Sequence, residues 1–124
     1  MNLSAIKILL IDDSTFSRNL LKRTLGDKYQ YLEAADGMMG IDLFTVAKPD
    51  LIFLDLTMPG VSGMEVLQTL QKIDQNARVI IASANVQSLT HQEVMAMGAS
   101  GFVPKPFTPE SVQPIVQLLL QEAL

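Results

Sequence analysis

The chain has 124 residues, of which 48% are hydrophobic and 18% charged, a balance that excludes a disordered chain. The net charge of -4 and the scattered basic residues argue against nucleic-acid binding, and the absence of cysteine excludes disulfides and thiolate metal sites. No apolar stretch approaches a membrane span, and the apolar core near the N-terminus, about five residues followed by two acids, is too short for a signal peptide. We therefore expect a single cytoplasmic domain over residues 1–124, without an effector domain.

The first half of the chain alternates between short apolar runs and segments of helical periodicity. Ile6–Asp12 is a continuous apolar run that predicts a strand buried on both faces, and Ser14 can cap the helix that follows. Gly26 ends that helix, Tyr29–Ala35 predicts a weaker strand, and Asp36-Gly37 marks a turn before the second helix. The positions at helical spacing are Phe16, Leu20, Leu21, Thr24 and Leu25 in the first helix and Met38, Ile41 and Phe44 in the second.

The second half continues the same alternation. The apolar runs Asp50–Asp55 and Ala77–Ser83 predict buried strands, and Gly101–Pro104 predicts a short last strand. Thr108 can cap the final helix, with Pro109 at its first position. The expected core positions are Val66, Leu70 and Ile73 in the third helix, Val94 and Met97 in the fourth, which ends at Gly98, and Val112, Val116, Leu119 and Ala123 in the fifth.

Strand and helix patterns in strict alternation predict an α/β fold with one parallel sheet covered by helices on both sides, a three-layer (βα)5 sandwich. Two prolines make this prediction specific. Pro104 cannot donate a ladder hydrogen bond, so the fifth strand should lie at an edge of the sheet. Pro114 falls inside the last helix, where it should cause a late start or a kink near residues 110–114.

Polar side chains stand where the predicted strands end. They are Asp12 and Asp13 after the first strand, Asp55 on the third, Ser83 on the fourth and Lys105 after the fifth. Taken singly, each has an ordinary explanation as a turn former, a strand-end hydroxyl or a solvated lysine. Because parallel strands bring their carboxyl ends to one edge, the carboxylates would repel one another unless a cation such as Mg²⁺ lay between them. With Lys105 and Ser83 nearby, Asp55 could then be the nucleophile of a phosphoryl transfer.

Together these motifs resemble the receiver domain of two-component response regulators, of the single-domain CheY type. The matching segments are LLIDDS (Leu9–Ser14), LIFLDLTMPGVSG (Leu51–Gly63), VIIASA (Val79–Ala84), GFVPKPF (Gly101–Phe107) and the shorter AADG and KPDLI. The resemblance covers residues 5–123 and implies a flavodoxin-like sheet with the strand order 2-1-3-4-5. It also implies a signalling module that is not an enzyme beyond catalysing its own phosphorylation and dephosphorylation.

The resemblance implies that Asp55 accepts a phosphoryl group from a phosphohistidine of a histidine kinase or of a histidine phosphotransfer protein. Asp13 and Asp55 would ligate Mg²⁺ directly, together with the backbone carbonyl of Thr57. Asp12 would act on the ion mainly through water, and Lys105 would contact the phosphate.

The resemblance further implies a switch that links the phosphate to a distant surface. Ser83 would move to bind a phosphate oxygen, and Phe102 on the fifth strand would then turn inward. The face formed by the fourth helix, the fifth strand and the fifth helix would change with it, to control an unknown output protein or to form a homodimer. Thr57 and Asn85 would flank the phosphate and tune its lifetime, and the Lys105-Pro106 peptide bond would be cis.

Other residues have simpler interpretations. His91, the only histidine, lies in the polar stretch SLTHQE, where an exposed position at a helix start is expected. The phosphodonor must therefore be another protein or a small acyl phosphate. The apolar face of the last helix is wider than a core needs, which favours a dimer or partner surface over deep packing. The residues that widen it are Ile115, Leu118 and Leu120.

Three other functions remain as alternatives. A Mg²⁺-dependent phosphohydrolase of the haloacid dehalogenase type also places an aspartate nucleophile at a strand end, but it needs a second aspartate where this chain has Thr57. A flavodoxin-type flavin protein would carry a phosphate loop rich in Ser, Thr and Gly in place of Asp12-Asp13. A receiver-like scaffold that is no longer phosphorylated is the third, and the complete set of site residues argues against it.

Overall fold

The computed structural model describes residues 6–58, 62–84 and 91–123. The strands are β1 (Lys7–Ile11), β2 (Gln30–Ala34), β3 (Leu51–Asp55), β4 (Val79–Ser83) and β5 (Gly101–Pro104). The helices are α1 (Thr15–Leu25), α2 (Gly37–Ala47), α3 (Gly63–Ile73), α4 (His91–Ala96) and α5 (Pro109–Ala123). Within these ranges no helix combines the length and the apolar character needed to cross a membrane.

The strands form one parallel sheet in the order β2-β1-β3-β4-β5. This confirms the predicted α/β fold of the flavodoxin-like (βα)5 type. β5 lies at an edge, with Pro104 opposite Ser83, so the prediction that Pro104 marks an edge strand is confirmed. β1 and β3 are neighbours, with Ile11 opposite Leu54, and this register brings the ends of the two strands together.

Alternate strand residues pack against different helices, so the fold has three layers. One core cluster joins the sheet to α1 and α5 and includes Ile8, Leu10, Leu21, Leu25, Phe53, Ile80, Val112 and Val116. The other joins the sheet to α2, α3 and α4 and includes Leu9, Ile11, Phe44, Ile52, Leu54, Val66, Leu70, Ile81 and Val94. Because both faces of the sheet are covered, consecutive residues of the central strands are apolar rather than every second one.

Side-chain caps define where several helices begin. The Ser14 hydroxyl accepts a hydrogen bond from the Ser17 N–H at 3.1 Å, as the predicted cap of α1 requires. The predicted turn at Asp36 is also a cap, because its carboxylate accepts from the Met39 N–H at 2.8 Å. The Ser14 cap places the start of α1 directly after the acids that follow β1.

Some predicted core positions are exposed instead. Phe16 has 73% of its surface exposed, and Met38, Ile73 and Met97 are also exposed. These residues lie in the first or last turn of a helix or just beyond it. Ala123 lies in α5, but its side chain is outside the described part of the structure.

The predicted late start of the last helix is wrong. α5 begins at Pro109 and contains Pro114 within it. Pro114 has no N–H to donate to the Glu110 carbonyl, but both residues are exposed, so water can satisfy that carbonyl. The alternative expectation of a kink stays a prediction.

Candidate functional site

Acids from two neighbouring strand ends meet at the carboxyl edge of the sheet. Asp12 and Asp13 follow β1, and Asp55 is the last residue of β3. Each presents one carboxylate oxygen, and the three oxygens lie within 4.8 Å of one another. Asp12 is 6% exposed and Asp55 is 3% exposed, whereas Asp13 is exposed to solvent. The acid cluster of Asp12, Asp13 and Asp55 therefore opens to solvent on the Asp13 side.

Lys105 brings a positive charge against this cluster. Its Nζ lies 2.7 Å from Oδ2 of Asp12 and 3.6 Å from Oδ2 of Asp55. Its backbone N–H donates to the Ser83 carbonyl at 3.0 Å, so the end of β4 holds the segment that follows β5. The Lys105-Pro106 peptide bond is cis. The ammonium offsets the repulsion between two buried carboxylates.

The Asp55 carboxylate has two different sides. Its Oδ1 accepts hydrogen bonds from the Thr57 hydroxyl at 3.0 Å and from the Thr57 N–H at 3.2 Å. Its Oδ2 faces Lys105. Two hydrogen bonds and one ion pair thus hold the carboxylate in one orientation at the strand end.

Asp12 is the acid whose ionisation the fold opposes. Burial raises the pKa of the Asp12 carboxyl above its usual value of 3.8. Hydrogen bonds from Lys105 and from the Ser14 N–H lower the pKa, but by less than burial raises it, and the nearby Asp55 charge raises it further. A cation beside Asp12 would favour its ionised form.

The donor set of the acid cluster fits a hard divalent cation. Carboxylate oxygens are the ligands that Mg²⁺ prefers, and the exposed side at Asp13 leaves room for the water ligands that Mg²⁺ retains. Two buried carboxylates that share a single ammonium also carry net negative charge, which a cation would neutralise. The residues present therefore fit Mg²⁺.

Comparison with known proteins assigns the chain to one family. The model of the response regulator receiver domain matches residues 8–117. The chain belongs to this receiver family. It is 36% identical over 115 residues to the sporulation initiation phosphotransferase F of Bacillus subtilis, covering 92% of this chain and 93% of that protein.

Two solved structures show the same receiver fold. A signal receiver domain from Vibrio parahaemolyticus superposes with a TM-score of 0.87 at 32% identity, over 95% of this chain and 92% of that one. CheY in the CheX-CheY-BeF3-Mg complex from Borrelia burgdorferi gives a TM-score of 0.84 at 28% identity, over 93% and 89% of the chains. Receiver domains are signalling modules that interact with histidine kinases and output partners and that bind Mg²⁺ at an acidic pocket. That residues 1–124 form one receiver domain without an effector domain stays a prediction.

The predicted switch residues of this receiver lie on one face of the sheet. Ser83 is buried at the end of β4, and Phe102 on β5 is opposite Ile81 in the register. Side chains alternate along a strand, so Ser83 points to the same face as Ile81 and Phe102. Phe102 is half-buried against the core cluster of α2, α3 and α4. Asn85 lies outside the described residues.

One residue of the site, Arg18, was not predicted from the sequence. Arg18 on α1 donates from Nη1 to the backbone carbonyl of Asp12 at 2.5 Å, and its side chain is only 13% exposed. The available signal was a basic residue one helical turn after the Ser14 cap. That signal is weak because the same spacing on an outward face would place the arginine in solvent.

Proposed function

We propose that this receiver domain accepts a phosphoryl group on Asp55 from a phosphohistidine of a partner histidine kinase or phosphotransfer protein. An Asp55 carboxylate oxygen forms the new bond to phosphorus, the P–N bond of the phosphohistidine breaks, and its electron pair returns to the imidazole, which takes up a proton. The proposal rests above all on the buried Asp55 carboxylate, held between Thr57 and Lys105 within the acid cluster.

The other site residues have separate roles in this transfer. Asp13, Asp55 and the backbone carbonyl of Thr57 would hold Mg²⁺, with Asp12 acting mainly through water. The bound ion would offset negative charge on the transferred group. Lys105 would exchange part of its contact with Asp12 for a phosphate oxygen, a short movement because its Nζ already lies 3.6 Å from Asp55. The Thr57 side chain, and with it Asn85, would flank the phosphate and set its lifetime.

Phosphorylation would then alter the surface formed by α4, β5 and α5. Ser83 would draw towards a phosphate oxygen, and Phe102 would turn inward on the same face of the sheet. Leu118 is 56% exposed on α5, and Met95 and Met97 are exposed at α4, so this surface offers apolar contacts to an output protein or a second copy.

Two of the residues predicted to widen that surface lie largely inside. Leu120 is buried in the core cluster of α1 and α5, which contradicts its assignment as an apolar surface residue. Ile115 is half-buried and packs against that cluster, close to Gly101 of β5. Their burial follows from the position of α5 against the edge strand, and it leaves Leu118 as the exposed apolar residue of the predicted set.

The first alternative is a phosphohydrolase of the haloacid dehalogenase type, which would need a second aspartate two residues after the nucleophile. Thr57 occupies that position, and its hydroxyl donates to Asp55. The second alternative, a scaffold that is not phosphorylated, would not need Lys105 against two buried carboxylates. One experiment distinguishes the proposed function from both alternatives.

The experiment incubates the chain with Mg²⁺ and acetyl phosphate and measures its intact mass. We expect one added phosphoryl group, removed by hydroxylamine and absent in Asp55→Asn, while Asp42→Asn on the exposed side of α2 labels like the parent. Equal labelling of Asp55→Asn would refute the acceptor assignment, and absence of labelling in the parent would favour the scaffold. Rapid release of phosphate over many turnovers would favour the phosphohydrolase.

A further inference from the structure

Arg18 connects the acid cluster to β2, the edge strand opposite β5. Its Nη1 donates to the Asp12 carbonyl at 2.5 Å, and its Nε donates to Oε1 of Glu33 on β2 at 2.9 Å. Its Nη2 also donates to the Thr15 hydroxyl at 3.3 Å. Glu33 is held from its second oxygen by Lys22, whose Nζ lies 2.8 Å from Oε2. The guanidinium is thus held by hydrogen bonds to the Asp12 carbonyl, to Thr15 on α1 and to Glu33 on β2.

The Asp12 carbonyl is the atom through which this network can act on the acids. β1 ends at Ile11, and the Asp12 N–H still donates to the Ala34 carbonyl at 3.0 Å. The Asp12 carbonyl belongs to the peptide group that joins Asp12 to Asp13, so the Arg18 hydrogen bond holds the plane of that peptide. That plane limits the directions in which the exposed Asp13 side chain can leave the backbone.

The location of Arg18 on the core side of the acid cluster is also consistent with holding these acids in place. Arg18, Asp12 and Asp55 line one small, partly open cavity of about 10 Å³ on the core side of the cluster. The arginine therefore approaches the acids from within the fold, and Asp13 lies on the solvent side. The Arg18 guanidinium contacts the backbone carbonyl of Asp12. A cation would be bound by the carboxylates instead, so the two would not compete for the same atoms.

We propose that Arg18 is a positioning residue that holds the Asp12-Asp13 peptide against β2 and thereby raises the affinity of the acid cluster for a divalent cation. The inference rests on the proposed function, because it assumes that the cluster binds such a cation. Groups that orient metal ligands without touching the metal commonly change affinity by about 10- to 100-fold.

A role of Arg18 through its charge alone predicts the opposite effect on cation affinity. An arginine beside carboxylates repels a divalent cation, so a purely electrostatic role would make binding tighter when the arginine is removed. Arg18→Lys keeps the positive charge but replaces a planar fork by a single ammonium, which cannot reproduce the contacts to Asp12 and Glu33 together. The Arg18→Lys variant therefore separates orientation from charge.

The test measures the dissociation constant of Mn²⁺, the probe, on the unphosphorylated chain by electron paramagnetic resonance. We expect Arg18→Lys to bind Mn²⁺ about 10-fold more weakly than the parent. Glu33→Gln, which weakens the contact at the other end of Arg18, should weaken binding by a smaller factor. Arg23→Lys, on the exposed side of α1, is the matched control and should bind like the parent.

Phosphorylation by acetyl phosphate supplies the second measurement. The Mg²⁺ concentration at half-maximal rate should rise in Arg18→Lys, with a maximal rate close to that of the parent. Unchanged Mn²⁺ affinity in a folded Arg18→Lys protein, or tighter binding, would overturn the inference while the labelling of Asp55 still stands. Failure of the parent itself to bind Mn²⁺ would overturn both the metal site and the role of Arg18.

Discussion

At the scale of single residues, Asp12 is held from both its side chain and its backbone. Its carboxylate accepts from the Ser14 N–H at 2.9 Å and pairs with Lys105, and its carbonyl accepts from Arg18. Burial nevertheless raises the pKa of this carboxyl, so the folded protein holds the ionised form less well than the unfolded chain does. Asp12 therefore lowers the stability of the metal-free protein at neutral pH.

We predict that Asp12→Asn stabilises the metal-free protein at neutral pH, because asparagine avoids the burial of a charged carboxylate. The pKa of the Asp12 carboxyl is higher in the folded protein than in the unfolded chain. The neutral carboxyl therefore favours folding fully below pH 3.8, and this contribution is lost as the pH rises through the folded-state pKa. Asparagine stays neutral and escapes that loss. Urea unfolding of both proteins across this pH range measures the difference.

The control for this prediction is Asp42→Asn, an exposed change that should alter stability by less than about 0.5 kcal/mol. The difference between Asp12→Asn and the parent should also shrink towards zero below pH 3.8. A less stable Asp12→Asn protein at neutral pH would show that the ion pair with Lys105 outweighs the burial of the carboxylate.

Glu33 has the opposite dependence on pH. The Lys22 ammonium and then the Arg18 guanidinium hold the pKa of the Glu33 carboxyl below its usual value of 4.5. Its contribution to stability is present above pH 4.5 and is lost as pH falls through the lower folded-state value. Because Glu33 is partly exposed, solvent screening keeps this contribution small.

At the level of secondary structure, α3 begins against the backbone at the end of β3. A Cβ on Gly63 would lie 2.5 Å from Cα of Leu56 and 2.8 Å from the Asp55 carbonyl oxygen. Both neighbours are backbone atoms that cannot move aside as a flexible side chain can. The glycine therefore allows the first turn of α3 to approach Asp55 and fixes where the strand end lies.

We predict that Gly63→Ala destabilises the protein by about 1–3 kcal/mol and slows phosphorylation of Asp55. The added methyl group must displace the peptide group that joins Asp55 to Leu56. Chemical unfolding gives the stability, and the rate of mass labelling by acetyl phosphate gives the activity.

Gly26→Ala is the matched control for that variant. Gly26 has φ 90° and ψ -176°, a conformation that costs a residue with a side chain about 1–3 kcal/mol, yet a Cβ there meets no heavy atom within 4 Å. Gly26→Ala should lose comparable stability and label at the parent rate. Equal slowing in both variants would mean that labelling follows global stability and not the position of Asp55.

Helical periodicity predicted the burial of some helix residues correctly and of others wrongly. Helical spacing identifies the side of a helix that faces the sheet, and Leu21, Phe44, Val66 and Val116 lie buried on such faces. The spacing does not reveal how far the sheet extends beneath each helix. Phe16 follows the periodic pattern of α1 but lies in its first turn and is exposed.

At the scale of the whole molecule, binding at one edge of the sheet should stabilise the entire fold. β1 and β3 supply the acids and also form the centre of the sheet, so the cluster exists only when the core is packed. A ligand that binds the folded state alone stabilises it by mass action, by about 2.7 kcal/mol at 100 times its dissociation constant.

We predict that Mg²⁺ raises the unfolding midpoint of the parent in a saturable way and that chelation reverses the change. NaCl at equal ionic strength controls for general screening. Asp13→Ala removes an exposed carboxylate, so it should fold like the parent but lose most of the Mg²⁺-dependent stabilisation. Equal stabilisation of the parent by Mg²⁺ and by NaCl would contradict a specific site.

Local sequence patterns were enough to predict the order of elements, the parallel sheet and the edge position of β5. Apolar runs, caps and Pro104 act within a few residues of chain, so their physical effect can be derived from neighbours in sequence. The sequence also identified the acids, Ser83 and Lys105 as a set, because strand ends in a parallel sheet share one edge.

Which groups touch one another depends on how the whole chain folds. The ion pairs of Lys105 with Asp12 and Asp55, the hydrogen bond from Arg18 to the Asp12 carbonyl and the approach of α3 at Gly63 each join segments that folding brings together. Whether Phe16 is exposed and Leu120 buried was likewise decided by where each helix rests on the sheet. Such contacts depend on packing distances of a few ångströms, which local sequence patterns do not encode.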